Sequence, residues 1–255
     1  YQFAITNQLC QNLAVMKKAI LQASQRNVRL LVFPECALTG YPPRDMPSSS
    51  AVRCGERADA CTALQSLTDE CGMTVIVGSI TGGHDGCHNS AIVFSPRQPQ
   101  QFYHKRALWG WDQDNFTPGM EDGIFDIEGI TIGVRICYEI RFPEFFRELY
   151  RARTDLNIVL FYDVSDRDDM DRYELITSHI RTRAVENVTF TLSVNTISPY
   201  QTAPTALYDR SGRTLSELKR QEEMLLVYDL EKTPSDFGER GREQISDRLL
   251  MRYPV

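Results

Sequence analysis

The chain has 255 residues, 42% hydrophobic and 24% charged, an ordinary globular composition that excludes wholesale disorder. Its 28 Lys and Arg against 34 Asp and Glu leave a formal net charge of −6, so it lacks the basic footprint of a sequence-independent nucleic-acid binder. No apolar run approaches the roughly 18 residues that span a bilayer. No basic segment followed by an apolar core opens the chain, so no membrane or secretory role is expected. The first residue is Tyr1, not Met, and the chain reads as processed, trimmed or incomplete.

The first helix is expected over Gln8 to Arg26, where Leu9, Leu13, Met16, Ile20 and Ala23 recur at helical spacing. Val28 to Phe33 reads as a buried strand closed by Pro34, with Glu35 just past its end. Cys54 to Cys71 is a second helix with Ala60, Leu64 and Leu67 as its stripe, and Met73 to Ile80 a second buried strand. Strands are further expected at Ser90 to Phe94, Gln101 to His104, Gly123 to Ile127 and Ile130 to Ile136, the last ending at Cys137. Phe145 to Arg153 reads as a helix, Leu156 to Phe161 as a strand, and Tyr173 to Asn187 as a long helix. Thr189 to Asn195, Ala206 to Tyr208 and Met224 to Leu230 complete the strands. Strands interleaved with helices in this way imply a layered α/β fold. Residues 1–255 read as one domain, with a polar tail from about Lys232 that docks on the core, on a partner subunit, or stays solvated.

The seven cysteines (Cys10, Cys36, Cys54, Cys61, Cys71, Cys87 and Cys137) are odd in number and include no C-x-x-C pair. That is neither a disulfide framework nor a zinc ribbon. It suggests a reducing, cytoplasmic setting in which most are small buried hydrophobes and one is free to be a nucleophile.

Three reactive residues directly follow apolar strands: Glu35, Lys105 and Cys137. Strand ends fix the backbone and expose the next side chain, which is where α/β sheets collect function. A thiol attacks as the thiolate, a nearby ammonium favours that form and can hold an oxyanion, and a carboxylate can carry the proton. The three together suffice for acyl transfer through a thioester. Taken singly, Glu35 reads equally as a cap, Lys105 as a surface charge and Cys137 as a buried thiol. An α/β-hydrolase with a cysteine nucleophile would need a G-x-C-x-G elbow, which Arg135-Ile136-Cys137-Tyr138-Glu139 does not supply.

The strings LLVFPECALTGYPP (Leu30 to Pro43), YHKRAL (Tyr103 to Leu108), NFTPG (Asn115 to Gly119), GVRICYEIRFPEFFREL (Gly133 to Leu149) and RTRAVENVTFTLSVN (Arg181 to Asn195) stand in an order that resembles the nitrilase (carbon-nitrogen hydrolase) superfamily. The resemblance implies a four-layer α-β-β-α sandwich and catalytic roles for Glu35, Lys105 and Cys137, with the Tyr138 N–H helping to hold the oxyanion. It implies an amidase-type enzyme needing no cofactor or metal, acting on a small-molecule amide and assembling as a homodimer or higher homo-oligomer. N-carbamoyl amine or nitrile hydrolysis, or a weakened member acting as a binding module, are the alternatives. Many members carry a second Glu five residues before the glycine of the P-G loop. Counting back from Gly119 reaches Asp114.

Tyr41, Trp109, Trp111, Glu139, Arg141 and Asp163 are the remaining candidates for substrate contact. Each also has a plain packing or ion-pair reading. The acidic stretch Asp163 to Asp171 is either an attractor for a cationic amine or a cap for the helix that follows. His84, Cys87 and His88 sit in a Gly-rich turn that reads as a loop, since a metal needs about four ligands.

Overall fold

The structure is a computed structural model that describes residues 1–83 and 86–252. It opens with helix α1 (Leu9–Ser24), strand β1 (Leu30–Val32) and helix α2 (Cys54–Cys71). Strands β2 (Thr74–Gly83), β3 (Gly86–Phe94) and β4 (Gln101–His104) complete a first sheet in the order β1-β2-β3-β4. β1 runs parallel to β2, and two antiparallel steps through β3 return β4 to that same direction. The residues following β1 and β4, Glu35 and Lys105, therefore emerge at one edge of the sheet.

After the short helix α3 (Trp111–Asn115) come β5 (Ile124–Ile127), β6 (Ile130–Ile136), helix α4 (Pro143–Arg151), β7 (Leu156–Phe161) and the short β8 (Val164–Ser165). Helix α5 (Met170–Asn187), β9 (Phe190–Asn195), the short β10 (Tyr200–Gln201), β11 (Ala206–Tyr208), β12 (Thr214–Glu217) and helix α6 (Phe237–Arg252) follow. The second sheet has the order β12-β11-β9-β7-β6-β5. Its central strands β6, β7 and β9 are parallel, so Cys137, Tyr162 and Thr196 all leave from one edge.

Three apolar layers hold the sandwich. Val32, Ile76 and Val93 of the first sheet meet Ile132, Val134, Ile158 and Leu207 of the second. Met16, Ile20 and Leu64 cover the outer face of the first sheet with α1 and α2. Phe146, Ile176 and Ile180 cover the second with α4 and α5. Each such side chain removed from water contributes roughly 1.5–3 kcal/mol, so these layers set how the sheets face each other. The four-layer α-β-β-α expectation is met.

Four local expectations differ. Met224 to Leu230 is not a strand: it pairs only at Met224, with Gln2. Thr214–Glu217 pairs with β11 as β12, a strand that the sequence did not lead one to expect. The polar tail forms α6, started by a reciprocal cap in which Glu239 N–H donates to Asp236 Oδ1 (2.7 Å) and Asp236 N–H donates to Glu239 Oε2 (2.8 Å). It docks on its own chain, where Tyr150 O–H and Arg153 both reach Asp247. Finally, only Cys36 and Cys61 are fully buried, and Cys10 and Cys54 are exposed.

Candidate functional site

The Glu35 turn lies directly on β2. A Cβ at Gly78 would stand 2.0 Å from the Pro34 carbonyl oxygen and 2.6 Å from the Glu35 Cα. Only the bare backbone of glycine permits this approach. Gly119 does the same for Lys105: its N–H donates to the Lys105 carbonyl (3.0 Å), and a Cβ there would stand 2.3 Å from the His104 oxygen.

Glu35 and Lys105 meet with the side chains almost fully buried, Nζ to Oε1 at 2.9 Å. The same Nζ lies 2.8 Å from Asp112 Oδ2. Asn89 Nδ2 also donates to Glu35 Oε1 (2.6 Å), and the Tyr162 N–H, from the end of β7, donates to Oε2 (2.7 Å). That last bond ties the two sheets together at the site. Burial raises the Glu35 pKa; Lys105 pulls it back and Asp112 pushes it further, leaving it above the ordinary carboxylate range. Burial pulls the Lys105 ammonium down, but Glu35 and Asp112 more than reverse this and hold it well above its usual value.

Cys137 ends β6 at a backbone φ of +47°, a left-handed conformation that costs an L residue about 1 kcal/mol or more. Residues 137–141 then form a tight 3-10 turn. Burial and then Glu35 push the Cys137 thiol well above its ordinary value, against the pull of Lys105. The thiolate is thus disfavoured there, and a nucleophilic thiol at this position would call for a base to take its proton.

The second carboxylate at Lys105 is Asp112, not Asp114. Asp112 is buried on α3, whereas Asp114, two residues on, is exposed. Tyr41 holds Asp112 from the other side through O–H to Oδ1 (2.8 Å), and its ring stacks on Tyr162 at 5.1 Å.

Glu139 is fully buried, away from any substrate-accessible surface. Oε1 accepts from Tyr103 O–H (2.7 Å) and Arg106 N–H (2.8 Å), while Oε2 accepts from Ile136 N–H (2.7 Å). It clamps the Cys137 turn to the loop that carries Lys105. Asp163 is also buried, held by Arg172 Nε (2.7 Å) and Nη2 (2.8 Å) and by Thr202. It is therefore a neutralised pair, not a free anion for an amine. Three more acids of the stretch are likewise engaged: Asp166 pairs with Arg44, Asp168 with Arg220, and Asp169 caps α5.

Trp109 and Trp111 are 68% and 52% exposed, and Trp111 packs under Arg44 at 5.9 Å. Arg141 is half-buried beside His179. Tyr138 follows Cys137, its ring edge-on to Phe142. His88 stacks on His104, while His84 lies outside the described residues. No group of three metal-ligating side chains gathers among the described residues, and no helix there is long and apolar enough to cross a membrane. A cavity of about 580 Å³ lies elsewhere, at the amino ends of β6, β7 and β9, and none of the candidate site residues lines it.

Sequence reading missed Asn89, Asp112 and Gly78. Only Asp112 had a visible signal, an acid on the turn just past Lys105.

The two sheets thus bring a buried Glu–Lys pair and a strand-end cysteine to one site. Residues 1–233 match the carbon-nitrogen hydrolase family, and the chain belongs to it. It is 28% identical over 206 residues to a hydrolase of Mycobacterium tuberculosis (strain CDC 1551 / Oshkosh), covering 74% of this chain and 68% of the relative. It is 27% identical over 231 residues to an (R)-stereoselective amidase of Pseudomonas sp., covering 87% and 80%. Among solved structures, a variant of the amidase from Nesterenkonia sp. AN1 in complex with butyramide superposes with a TM-score of 0.82 at 21% identity, over 100% of this chain and 94% of that one. Another variant of that amidase carries acrylamide added at its active site cysteine. This likeness shows the fold.

Proposed function

We propose that this chain hydrolyses the C–N bond of a small amide through a thioester on Cys137. The carrying observation is the Lys105 ammonium held between Glu35 and Asp112 in a buried site. In this reading Cys137 Sγ attacks the carbonyl carbon as Glu35 takes the thiol proton. Lys105 and the Tyr138 N–H hold the oxyanion. As the tetrahedral intermediate collapses, Glu35 returns the proton to the leaving nitrogen, and ammonia or an amine departs. Water then attacks the thioester, giving one proton to Glu35. The acid leaves and the thiol is restored.

The upward shift of Glu35 suits this scheme, since a carboxyl held above its ordinary range is a stronger base toward a thiol proton. The amide-cleaving names among the relatives favour amide over nitrile. The binding-module alternative draws on Asp114 standing where many members have Glu, and the Lys105–Asp112 contact weighs against it. The seven unpaired thiols suit a reducing, cytoplasmic compartment.

Ammonia release over ω-amides, aliphatic amides, carbamoyl amines and nitriles tests the reading. An amide should turn over, and Cys137→Ala should abolish this with the circular-dichroism spectrum intact. Retained hydrolysis in that variant would sink the assignment. Self-association belongs to the same proposal: α6 leaves Phe237, Leu249 and Met251 exposed, an apolar set that a second copy would cover. Light scattering reads the mass, and a monomer at assay concentration removes this part.

A further inference from the structure

Asn89 lies on β3, almost fully buried and outside every functional string in the sequence. Its main-chain oxygen accepts the Lys105 N–H at 2.8 Å, one step past the last β3–β4 pair at Ser90 and His104. Its side-chain Nδ2 donates to Glu35 Oε1 at 2.6 Å. Its Oδ1 lies 3.6 Å from Cys36 Sγ, whose thiol is buried and donates the S–H.

The two side-chain contacts fix the amide in one orientation. Flipped, it would set Oδ1 against the Glu35 carboxylate, acceptor on acceptor, and leave the S–H facing an N–H. A carboxylate has about four acceptor positions, two on each oxygen. On Glu35, Oε1 is filled by Asn89 and Lys105, while Oε2 takes one bond, from Tyr162.

We infer that Asn89, oriented by the Cys36 S–H, is a positioning residue that saturates Glu35 Oε1 and so makes Oε2 the oxygen that accepts the thiol proton. The inference rests on the role proposed for Glu35. The groups that bear on Glu35 are Lys105 after β4, Asp112 on α3, Cys36 in its own turn, Cys137 after β6 and Tyr41. Beside the Tyr162 N–H, Asn89 is a neutral donor to Glu35, so removing it weakens the ionised form of Glu35 without changing the charge of the site.

The test is the pH dependence of Cys137 alkylation by iodoacetamide, followed by peptide mass mapping. In that step sulfur bonds to the methylene carbon, iodide leaves, and the thiol proton passes to Glu35. The readout needs no amide turnover, so it stands apart from failure of the amidase reading. Asn89→Ala is expected to move the acidic limb up by about one pH unit, because a hydrogen bond to a charged group is lost. Cys36→Ala should move it in the same direction by less, and Cys36→Ser, which keeps a donor, should hold it near the wild-type position. Should Asn89→Ala fail to fold, the two Cys36 variants decide. A limb that stays in place in folded Asn89→Ala, or Cys36→Ala and Cys36→Ser that behave alike, would overturn the inference. A purely structural role would lower the rate equally at all pH values.

Discussion

Replacing Asp112 by Asn removes one negative charge from the buried cluster while keeping its shape. Asp112 and Glu35 both contact the Lys105 Nζ, at 2.8 and 2.9 Å. Their oxygens therefore lie within about 6 Å of each other, where two charges repel by roughly 3 kcal/mol at an effective dielectric of about 20. That corresponds to about two pH units before the intervening Lys105 ammonium is counted. Asp112 raises the Glu35 pKa, so its removal lowers it. If Glu35 acts as its carboxylate, the active form persists to lower pH. The acidic limb of kcat/KM for ammonia release should shift down by about one to two units. The maximum rate should fall as well, because Lys105 loses one of its two anchors. Tyr41 still finds an amide oxygen to donate to, and the fold should hold. Asp114→Asn, on the exposed side of α3, serves as the control and should leave the limb in place. A limb unmoved by Asp112→Asn in a folded protein, or one moved by Asp114→Asn instead, would refute the reasoning.

Gly78→Ala puts a methyl 2.0 Å from the Pro34 oxygen, against backbone that cannot swing aside. A loss of about 3 kcal/mol in denaturant unfolding is expected, together with most of the activity. Glu139→Ala strands the Arg106 and Ile136 N–H groups and the Tyr103 hydroxyl in the interior. It should cost about 3–5 kcal/mol, with Glu139→Gln milder because one acceptor remains; equal stability of the two would count against the clamp. Arg172→Ala leaves the Asp163 carboxylate buried without its cation. A loss of about 2 kcal/mol is expected, discounted because Arg172 is partly exposed, and alkylation of Cys137 should slow as the unpaired charge disfavours the thiolate.

The chain's own local patterns settled most of the secondary structure. Cys54–Cys71 and Leu156–Phe161 form over the residues whose spacing indicated them, because helical stripes and short β-rich runs are short-range signals. Glu35, Lys105 and Cys137 were legible for the same reason, each being a reactive residue at the end of an apolar strand. An Asp-x-x-Glu cap at Asp236 and Glu239 was present before α6 as well, a local signal that went unread. Met224 to Leu230 shows the limit of such signals, since an apolar run becomes a strand only beside a neighbour with free backbone groups, and here that holds only at Gln2.

What tertiary structure alone decided was which polar groups face inward and what they touch. Asp112 and Asp114 sit two residues apart on one helical turn, about 200° around its axis, so one points into the site and the other into water. No count from Gly119 distinguishes them. Asn89 lies 54 residues from Glu35, Tyr162 lies 127 from it, and Glu139 lies 36 from Tyr103. Asn89 reaches Glu35 across the first sheet, and the other two pairs meet only when the two sheets pack face to face. Composition and periodicity identify what buries, but a hydrogen bond between distant residues depends on the register and direction of every strand between them.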